Sequence, residues 1–295
     1  MRELEGKVAI VTGGGRGLGR AHALALALEG ARVVVNDAGV EVDGRGGDGG
    51  SLARGVVEEI ESLGGTAIAS DLDVADWAAA ARLVGLATET FGGLDALVNN
   101  AGVLRDRALV NLDEDDFDAV VRVNLKGHVA PTHHAAAYWR ERAKRSGPVR
   151  AAVVNTVSTS GLVGNPGQSH YGAAKAGVAA FTIIAAQELA RYGVRVNAIA
   201  PAARSRMTDT VPGLAKMFAP PEEPGVFDPW DPANMSPLVA YLVSDRCEAT
   251  GRVFSAQGGR IQMFEPWALG GTAEKNGRWT LEELAEAVPR LLRRA

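Results

Sequence analysis

From residue 8 to residue 19 the chain reads Val8-Ala9-Ile10-Val11-Thr12-Gly13-Gly14-Gly15-Arg16-Gly17-Leu18-Gly19. A β-branched, apolar run passes through a glycine-rich turn into an alanine- and leucine-rich stretch, 19–29, that reads as a helix. Gly13, Gly17 and Gly19 have the spacing T-G-x-x-x-G-x-G. Glycine permits the tight turn and a close backbone approach, and a helix opening behind the turn points its amides at a bound anion. Strand, glycine turn and helix in that order suit a pyrophosphate. The same sequence also makes a plain strand-to-helix corner, so the rest of the chain has to decide.

The unit recurs. Strands are predicted over 8–11, 31–36, 66–69, 95–99, 151–156, 195–199 and 252–255, with helices over 19–29, 51–62, 75–91, 113–144, 171–191 and 234–244. Most strand runs are continuously apolar, as for strands covered by helices on both faces. This predicts an α/β fold, a Rossmann-type doubly wound parallel sheet of seven strands with right-handed crossovers. One domain is expected over 1–259, followed by a C-terminal extension over 260–295. Residues 43–51 (DGRGGDGGS) read as a surface loop. The segment 211–237 holds seven of the 13 prolines, and a lid is expected over 203–237. In the extension, Thr280-Leu281-Glu282-Glu283 opens a last helix as a capping box. Pro289 predicts a kink or stop near Val288.

Composition narrows the function. The 295 residues carry 31 Lys+Arg against 35 Asp+Glu, a formal charge of −4, with 46% hydrophobic and 22% charged residues. This is ordinary globular composition. A single cysteine, Cys247, excludes a disulfide framework. Mild acidity, with no basic run except near the end, argues against nucleic acid as the main partner. There is no uninterrupted apolar stretch of about 18 residues, so no membrane span is expected. The polar start Met1-Arg2-Glu3-Leu4-Glu5 lacks a secretory core, and Arg293-Arg294-Ala295 is not a C-terminal address. The expectation is a cytoplasmic protein.

Asp37 ends the second strand, where a carboxylate can accept hydrogen bonds from an adenosine ribose diol and repels a 2′-phosphate. This favours NAD over NADP. Two readings stay open: Asn36-Asp37-Ala38-Gly39 is also a solvated-turn sequence, and Arg16 can reach a 2′-phosphate. Asp73-Val74 follows the third strand, where an adenine edge would lie. Tyr171 and Lys175, four apart in Tyr-Gly-Ala-Ala-Lys, share one helix face. A phenol with a reference pKa of about 10 becomes a usable acid/base beside an ammonium and an oxidised nicotinamide. Ser158 ends the fifth strand and can hold a substrate oxygen. Asn124 lies within the 113–144 helical stretch and can bridge through water to Lys175. Taken singly, each has a bland reading: a surface pair, a strand-end cap, a buried amide.

Their order along the chain resembles the short-chain dehydrogenase/reductase family over essentially 6–259. The matching motifs are Thr12 to Gly19, Asn99-Asn100-Ala101-Gly102 and the tetrad Asn124, Ser158, Tyr171 and Lys175. The resemblance implies hydride transfer between a nicotinamide and an alcohol or carbonyl carbon. It implies cofactor contacts from Gly13, Arg16, Gly17, Leu18, Gly19, Asp37, Asp73, Val74, Asn100, Ala101, Gly102, Tyr171, Lys175 and Pro201, and a homodimer or homotetramer. No metal is implied.

Within that family the chain is similar to the (3R)-hydroxyacyl-CoA dehydrogenase domain of the peroxisomal multifunctional β-oxidation enzyme. The carriers are 33–37 with Ser51-Leu52-Ala53, Gly102-Val103-Leu104-Arg105-Asp106-Arg107, Gly164-Asn165-Pro166-Gly167-Gln168, 200–208, and Gly277-Arg278-Trp279-Thr280. This implies NAD-dependent oxidation of a (3R)-3-hydroxyacyl-CoA, with steroid alcohols as related substrates. The sequence ends after one dehydrogenase unit without a peroxisomal address, so a stand-alone enzyme is expected. Two alternatives are an NADPH-linked 3-oxoacyl or carbonyl reductase and a nicotinamide-binding sensor without chemistry. Arg105, Arg107, Arg204 and Arg206 read equally as coenzyme A phosphate ligands and as ion-pair partners of Asp106 or Asp209. His133-His134 read as a helix face rather than a metal site, and Cys247 as a partly buried side chain. His170 is assigned no role, and the tail with Trp267 and Trp279 reads equally as packing across a subunit interface and as packing over the active-site mouth.

Overall fold

Alternate residues of β1 (Val8–Thr12) enter opposite cores: Ala9 and Val11 on one side of the sheet, Val8 and Ile10 on the other. Period-two alternation makes this unavoidable when both faces are covered. The computed structural model describes residues 2–47, 50–204, 218–223, 225–265 and 267–292. They form two compact units, Met1–Met263 and Phe264–Ala295.

With β1 stand β2 (Arg32–Asn36), β3 (Thr66–Ser70), β4 (Ala96–Asn99), β5 (Ala151–Thr156), β6 (Val194–Ala202) and β7 (Val253–Gln257). The sheet order is β3-β2-β1-β4-β5-β6-β7, and each neighbouring pair is parallel. The seven expected strands are present, and the sheet carries one more. β8 (Arg260–Phe264) extends the β7 edge after the turn Gly258-Gly259. A two-residue connection makes that pair a hairpin, hence antiparallel. Arg-Ile-Gln-Met-Phe is largely exposed, so no buried apolar run announces it.

Helices α1 (Gly17–Leu28), α2 (Ser51–Ser62) and α8 (Ser236–Val243) bury Ala23, Leu26, Val56, Ile60, Val239 and Leu242 on the first face. On the second face α3 (Trp77–Phe91), α5 (Gly127–Ser146) and α7 (Ser169–Leu189) bury Leu83, Trp139 and Leu189. The expected helix over 113–144 is interrupted. α4 (Glu114–Val121) runs into a π-helical turn, Arg122–Lys126, before α5 resumes. The extra residue per turn rotates the side chains that follow, a device common at functional sites. A short α6 (Thr159–Leu162) lies between β5 and α7. Ser169–Tyr192 is long and apolar enough for a membrane span by length and composition, but α7 packs on β6 and β5 as a core helix does.

In the second unit Thr280 and Glu283 form the expected capping box, each side chain accepting from the other's backbone N–H. α9 (Leu281–Leu292) continues through Pro289 rather than stopping near Val288. Proline this close to the helix end forfeits only one bond, to the Ala285 carbonyl. Much of the expected lid over 203–237, including 205–217 and Pro224, lies outside the described residues.

Candidate active site

The candidate residues gather at the carboxyl ends of the strands, where open α/β sheets bind ligands. Gly13 and Gly17 have φ of +62° and +50°. A Cβ on Gly19 would lie 2.0 Å from the Gly13 carbonyl oxygen, and one on Gly13 2.8 Å from Ala101 Cα. Two strand ends lock the turn. The Thr12 hydroxyl accepts from the amides of Asn100 and Ala101, at 3.0 and 3.1 Å. The Asn100 side-chain amide donates to the carbonyls of Thr12 and Gly13, at 3.1 and 3.0 Å.

Asp37 is half-buried and oriented, not a freely solvated turn residue. Its Oδ2 accepts from Gly15 N–H at 2.8 Å and its Oδ1 from Gly39 N–H at 2.8 Å. Arg16, at the start of α1, keeps a buried Nε with no hydrogen-bond partner. Asp73 accepts from Ala75 N–H at 2.9 Å and pairs with Arg122, beside the buried Val74. Leu18 lies half-buried in the first turn of α1, and Pro201 near the end of β6. The residues therefore fit a dinucleotide: a glycine turn without room for side chains at Gly13 and Gly19, an oriented carboxylate at the second strand end and an unpaired guanidinium nitrogen at the helix start.

Tyr171 and Lys175 on α7, Ser158 at the cap of α6 and Asn124 in the π-helical turn converge from three chain segments. Lys175 is 2% exposed, donates to the Thr156 carbonyl at 2.8 Å and sits 5.8 Å from the Tyr171 ring centroid. Burial lowers its amine to about 7. Burial also pushes the Tyr171 phenol up to about 12; the polar Ser158 side chain works the other way, and the Asp106 charge adds to the rise. On the protein's own groups the phenol is therefore not activated, and the lysine does not offset its burial. Ser158 caps α6, accepting from Ser160 N–H at 3.2 Å. Asn124 stands in the π-helical turn, donating to the carbonyls of Val103 (2.7 Å) and Val120 (3.1 Å). Its Oδ1 is buried without a partner. A Cβ on Gly102 would lie 2.7 Å from that oxygen and 3.8 Å from Lys175 Nζ, so Gly102 keeps open the space between them.

Three of the four arginines have ion-pair partners. Arg105 and Arg107 both pair with the buried Asp116 of α4, at 3.2 and 3.1 Å, rather than with Asp106. Arg204 pairs with Asp228 at 2.5 Å; Arg206 and Asp209 lie outside the described residues. Cys247 is buried. His133 and His134 cluster with Trp77, their ring centroids 4.8 and 5.4 Å from its ring, and the described residues hold no group of three or more metal-ligating side chains. Sequence reading assigned no role to His128, fully buried near Lys175 and held well below its ordinary pKa by burial and then by the lysine's charge. It also missed Gln168 and Ser160 as site residues: a helix cap and a one-turn helix are too short to carry a periodicity that marks them.

Residues 7–214 match the short chain dehydrogenase family, and the chain belongs to the short-chain dehydrogenases/reductases. Such a protein is an oxidoreductase acting on a CH–OH group with a nicotinamide nucleotide. Among its relatives, the hydroxyacyl-CoA dehydrogenase ChsB1 of Mycobacterium tuberculosis is 45% identical over 271 residues, 90% of this chain and 81% of that protein. The peroxisomal multifunctional enzyme type 2 of Mus musculus is 40% identical over 87% of this chain, which spans only 32% of that enzyme. A crystal structure of a short chain dehydrogenase from Mycobacterium avium superposes with a TM-score of 0.88 at 52% identity, covering 99% of this chain and 96% of that one.

Proposed function

We propose that the protein oxidises the 3-hydroxyl of a (3R)-3-hydroxyacyl-CoA to the 3-oxo thioester, with NAD as the hydride acceptor. The observation that carries the chemistry is the buried pair Tyr171 and Lys175 on one face of α7, with Ser158 acting on the phenol, set next to a side-chain-free glycine turn. The substrate class is supported by the likeness to ChsB1 and the multifunctional enzymes. NAD rather than NADP is supported by the oriented Asp37 carboxylate.

When bound, the oxidised nicotinamide supplies a hydride-accepting carbon and a positive charge. Gly13, Gly17 and Gly19 cradle the pyrophosphate, and Asp37 takes the adenosine ribose. The Ser158 hydroxyl holds the substrate oxygen. Tyr171 Oη accepts the hydroxyl proton, its phenolate favoured once positive charge joins Lys175 at the phenol. Lys175, held by the Thr156 carbonyl, can hand a proton to a water held by the Asn124 Oδ1, whose lone pairs are free for one. Leu109, Val110 and Val163, exposed on the loops after β4 and α6, offer apolar surface to an acyl chain or a steroid skeleton. We also place the protein in a homodimer or homotetramer; a groove of about 460 Å³ along α5 and α7, lined by His133, Arg140, Glu188 and Tyr192, is a candidate contact face.

A second reading, an NADPH-linked 3-oxoacyl reductase, is favoured by a 37% identity to the 3-oxoacyl-[acyl-carrier-protein] reductase of Thermotoga maritima over 88% of this chain. Purified protein offered (3R)-3-hydroxyacyl-CoA, the (3S) epimer and a secondary steroid alcohol, each with NAD and NADP, separates the readings. NADH formation from the (3R) thioester alone is expected, and Asp37→Ala narrows the NAD preference about tenfold. A wild-type preference for NADP reverses the cofactor assignment.

A further inference from the structure

One glutamine side chain bridges the two segments that carry the catalytic hydroxyls. Gln168 Oε1 accepts from Ser160 Oγ at 2.7 Å and from Asn165 Nδ2 at 2.9 Å. Its Nε2 donates to both carboxylate oxygens of Asp106, at 3.1 and 3.0 Å. Ser160 N–H in turn binds the Ser158 hydroxyl at 3.2 Å. The Gln168 carbonyl accepts from Gly172 N–H at 2.6 Å, in the first turn of α7 beside Tyr171. The loop holding Asp106 is itself fixed. Arg107 N–H donates to the Gly167 carbonyl at 2.9 Å, and Arg105 and Arg107 clamp Asp116 on α4. Three segments, the loop after β4, α6 and the start of α7, thus meet at Gln168.

We propose that Asp106 is a positioning residue: through Gln168 it holds the Ser158 turn and the Tyr171 helix in register, and it keeps an ionised carboxylate at that bridge, bound by a neutral amide. The inference deepens the reaction proposed above and rests on Tyr171 acting as the base there. A primary amide in contact with a carboxylate has one rotamer that satisfies all four of its partners, so Gln168 cannot flip without placing its carbonyl against Asp106. The charge balance around Tyr171 is simple. α7 contributes Lys175 and the adjacent buried His170, α6 and its cap the neutral Ser158, and α4 an Asp116 already answered by Arg105 and Arg107. Among the described residues Asp106 is the acidic group whose charge acts on the phenol, and its carboxylate is engaged by a neutral amide, which leaves that charge in place.

Three variants separate geometry from charge. Asp106→Asn keeps an acceptor for Gln168 and removes the charge. The acid limb of its kcat/KM profile for alcohol oxidation is expected about half a pH unit lower than in the wild type at low salt, and the difference closes at molar salt because Asp106 is exposed. Gln168→Ala keeps the charge and removes the bridge: kcat falls about tenfold with no movement of the limb and an unchanged NAD dissociation constant. Asp106→Ala shows both effects. Superimposable profiles for Asp106→Asn and wild type, or variants that change only Tm, overturn the proposal. Titrating the Tyr171 ring by NMR of 13C-tyrosine protein saturated with NAD, assigned with Tyr171→Phe, reads the same shift without turnover. A failure of the thioester reading is thereby kept distinct from a failure of this one.

Discussion

The two halves of the site are organised by opposite means. On the cofactor side, order comes from the main chain: Thr12 and Asn100 tie two strand ends together with four hydrogen bonds, and Asp37 is fixed by two amides. On the chemistry side, order comes from burial. Lys175 and Tyr171 are sequestered until their ionised forms are disfavoured, and the Asn124 oxygen and both His170 nitrogens are left without partners. A bonded cradle is a rigid mould, sensitive to shape. A desolvated pair is a loaded electrostatic device, sensitive to charge. Substitutions in the first half should therefore act on binding, and those in the second on turnover and on pH dependence.

The sharpest break between the halves is Tyr171→Phe. It deletes one oxygen from the chemistry side and touches nothing in the glycine turn. Turnover is expected to fall by about three orders of magnitude or more, while the NAD dissociation constant, read by calorimetry, stays within a few-fold. Near-normal activity would remove the phenol from the mechanism. A comparable loss in NAD affinity would show that the halves are not separable.

Lys175→Met tests the cost of desolvation. The wild-type amine is lowered to about 7 in the fold from 10.5, so the unfolded chain binds more protons between those values and unfolding free energy rises with pH across that window. At pH 7 and below, the buried charge is destabilising in full. Methionine removes it at the expense of the bond to the Thr156 carbonyl, leaving a net gain of about 2 kcal/mol. The variant is expected to lose turnover about a hundredfold and to melt higher than the wild type, the gap largest at or below pH 7 and closing toward pH 10.5. A variant that melts lower at every pH would mean that Lys175 is a structural residue of the core.

What could be read from the sequence follows the same division. The glycine turn and the strand-to-helix rhythm are local patterns set by backbone sterics, so seven strands and the positions of Gly13, Gly17, Gly19 and Asp37 were legible. The tetrad was legible as an order of residue types, but not its electrostatics. Tyr171 looks assisted by Lys175 from their four-residue spacing, and only the packed structure brings out the burial that raises the phenol. The π-helical turn at Asn124 was invisible because its residues keep helical composition. β8 was missed because it is an exposed edge strand. Asp116 as the shared partner of Arg105 and Arg107, and Gln168 as a bridge, are long-range pairings between loop and helix that no periodicity encodes.

The smallest effects are expected inside the cradle, where two glycines two residues apart should respond differently. At Gly19 an added Cβ would meet the Gly13 carbonyl at 2.0 Å and Asn100 Nδ2 at 2.6 Å. Neither can retreat, because the Asn100 amide bonds that same carbonyl at 3.0 Å. Gly19→Ala should therefore open the turn, weakening NAD binding about tenfold and lowering stability by about 2 kcal/mol. At Gly17 nothing lies within 4 Å of the added atom, and the only penalty is the φ of +50°. Alanine there costs about 1 kcal/mol of backbone strain and leaves the space for a dinucleotide intact, so NAD affinity should move no more than a few-fold. Paired thermal melts and NAD titrations check both. If Gly17→Ala weakens NAD as much as Gly19→Ala does, backbone conformation rather than the lock between strand ends shapes the cradle, and the contrast between a bonded half and a buried half has to be redrawn.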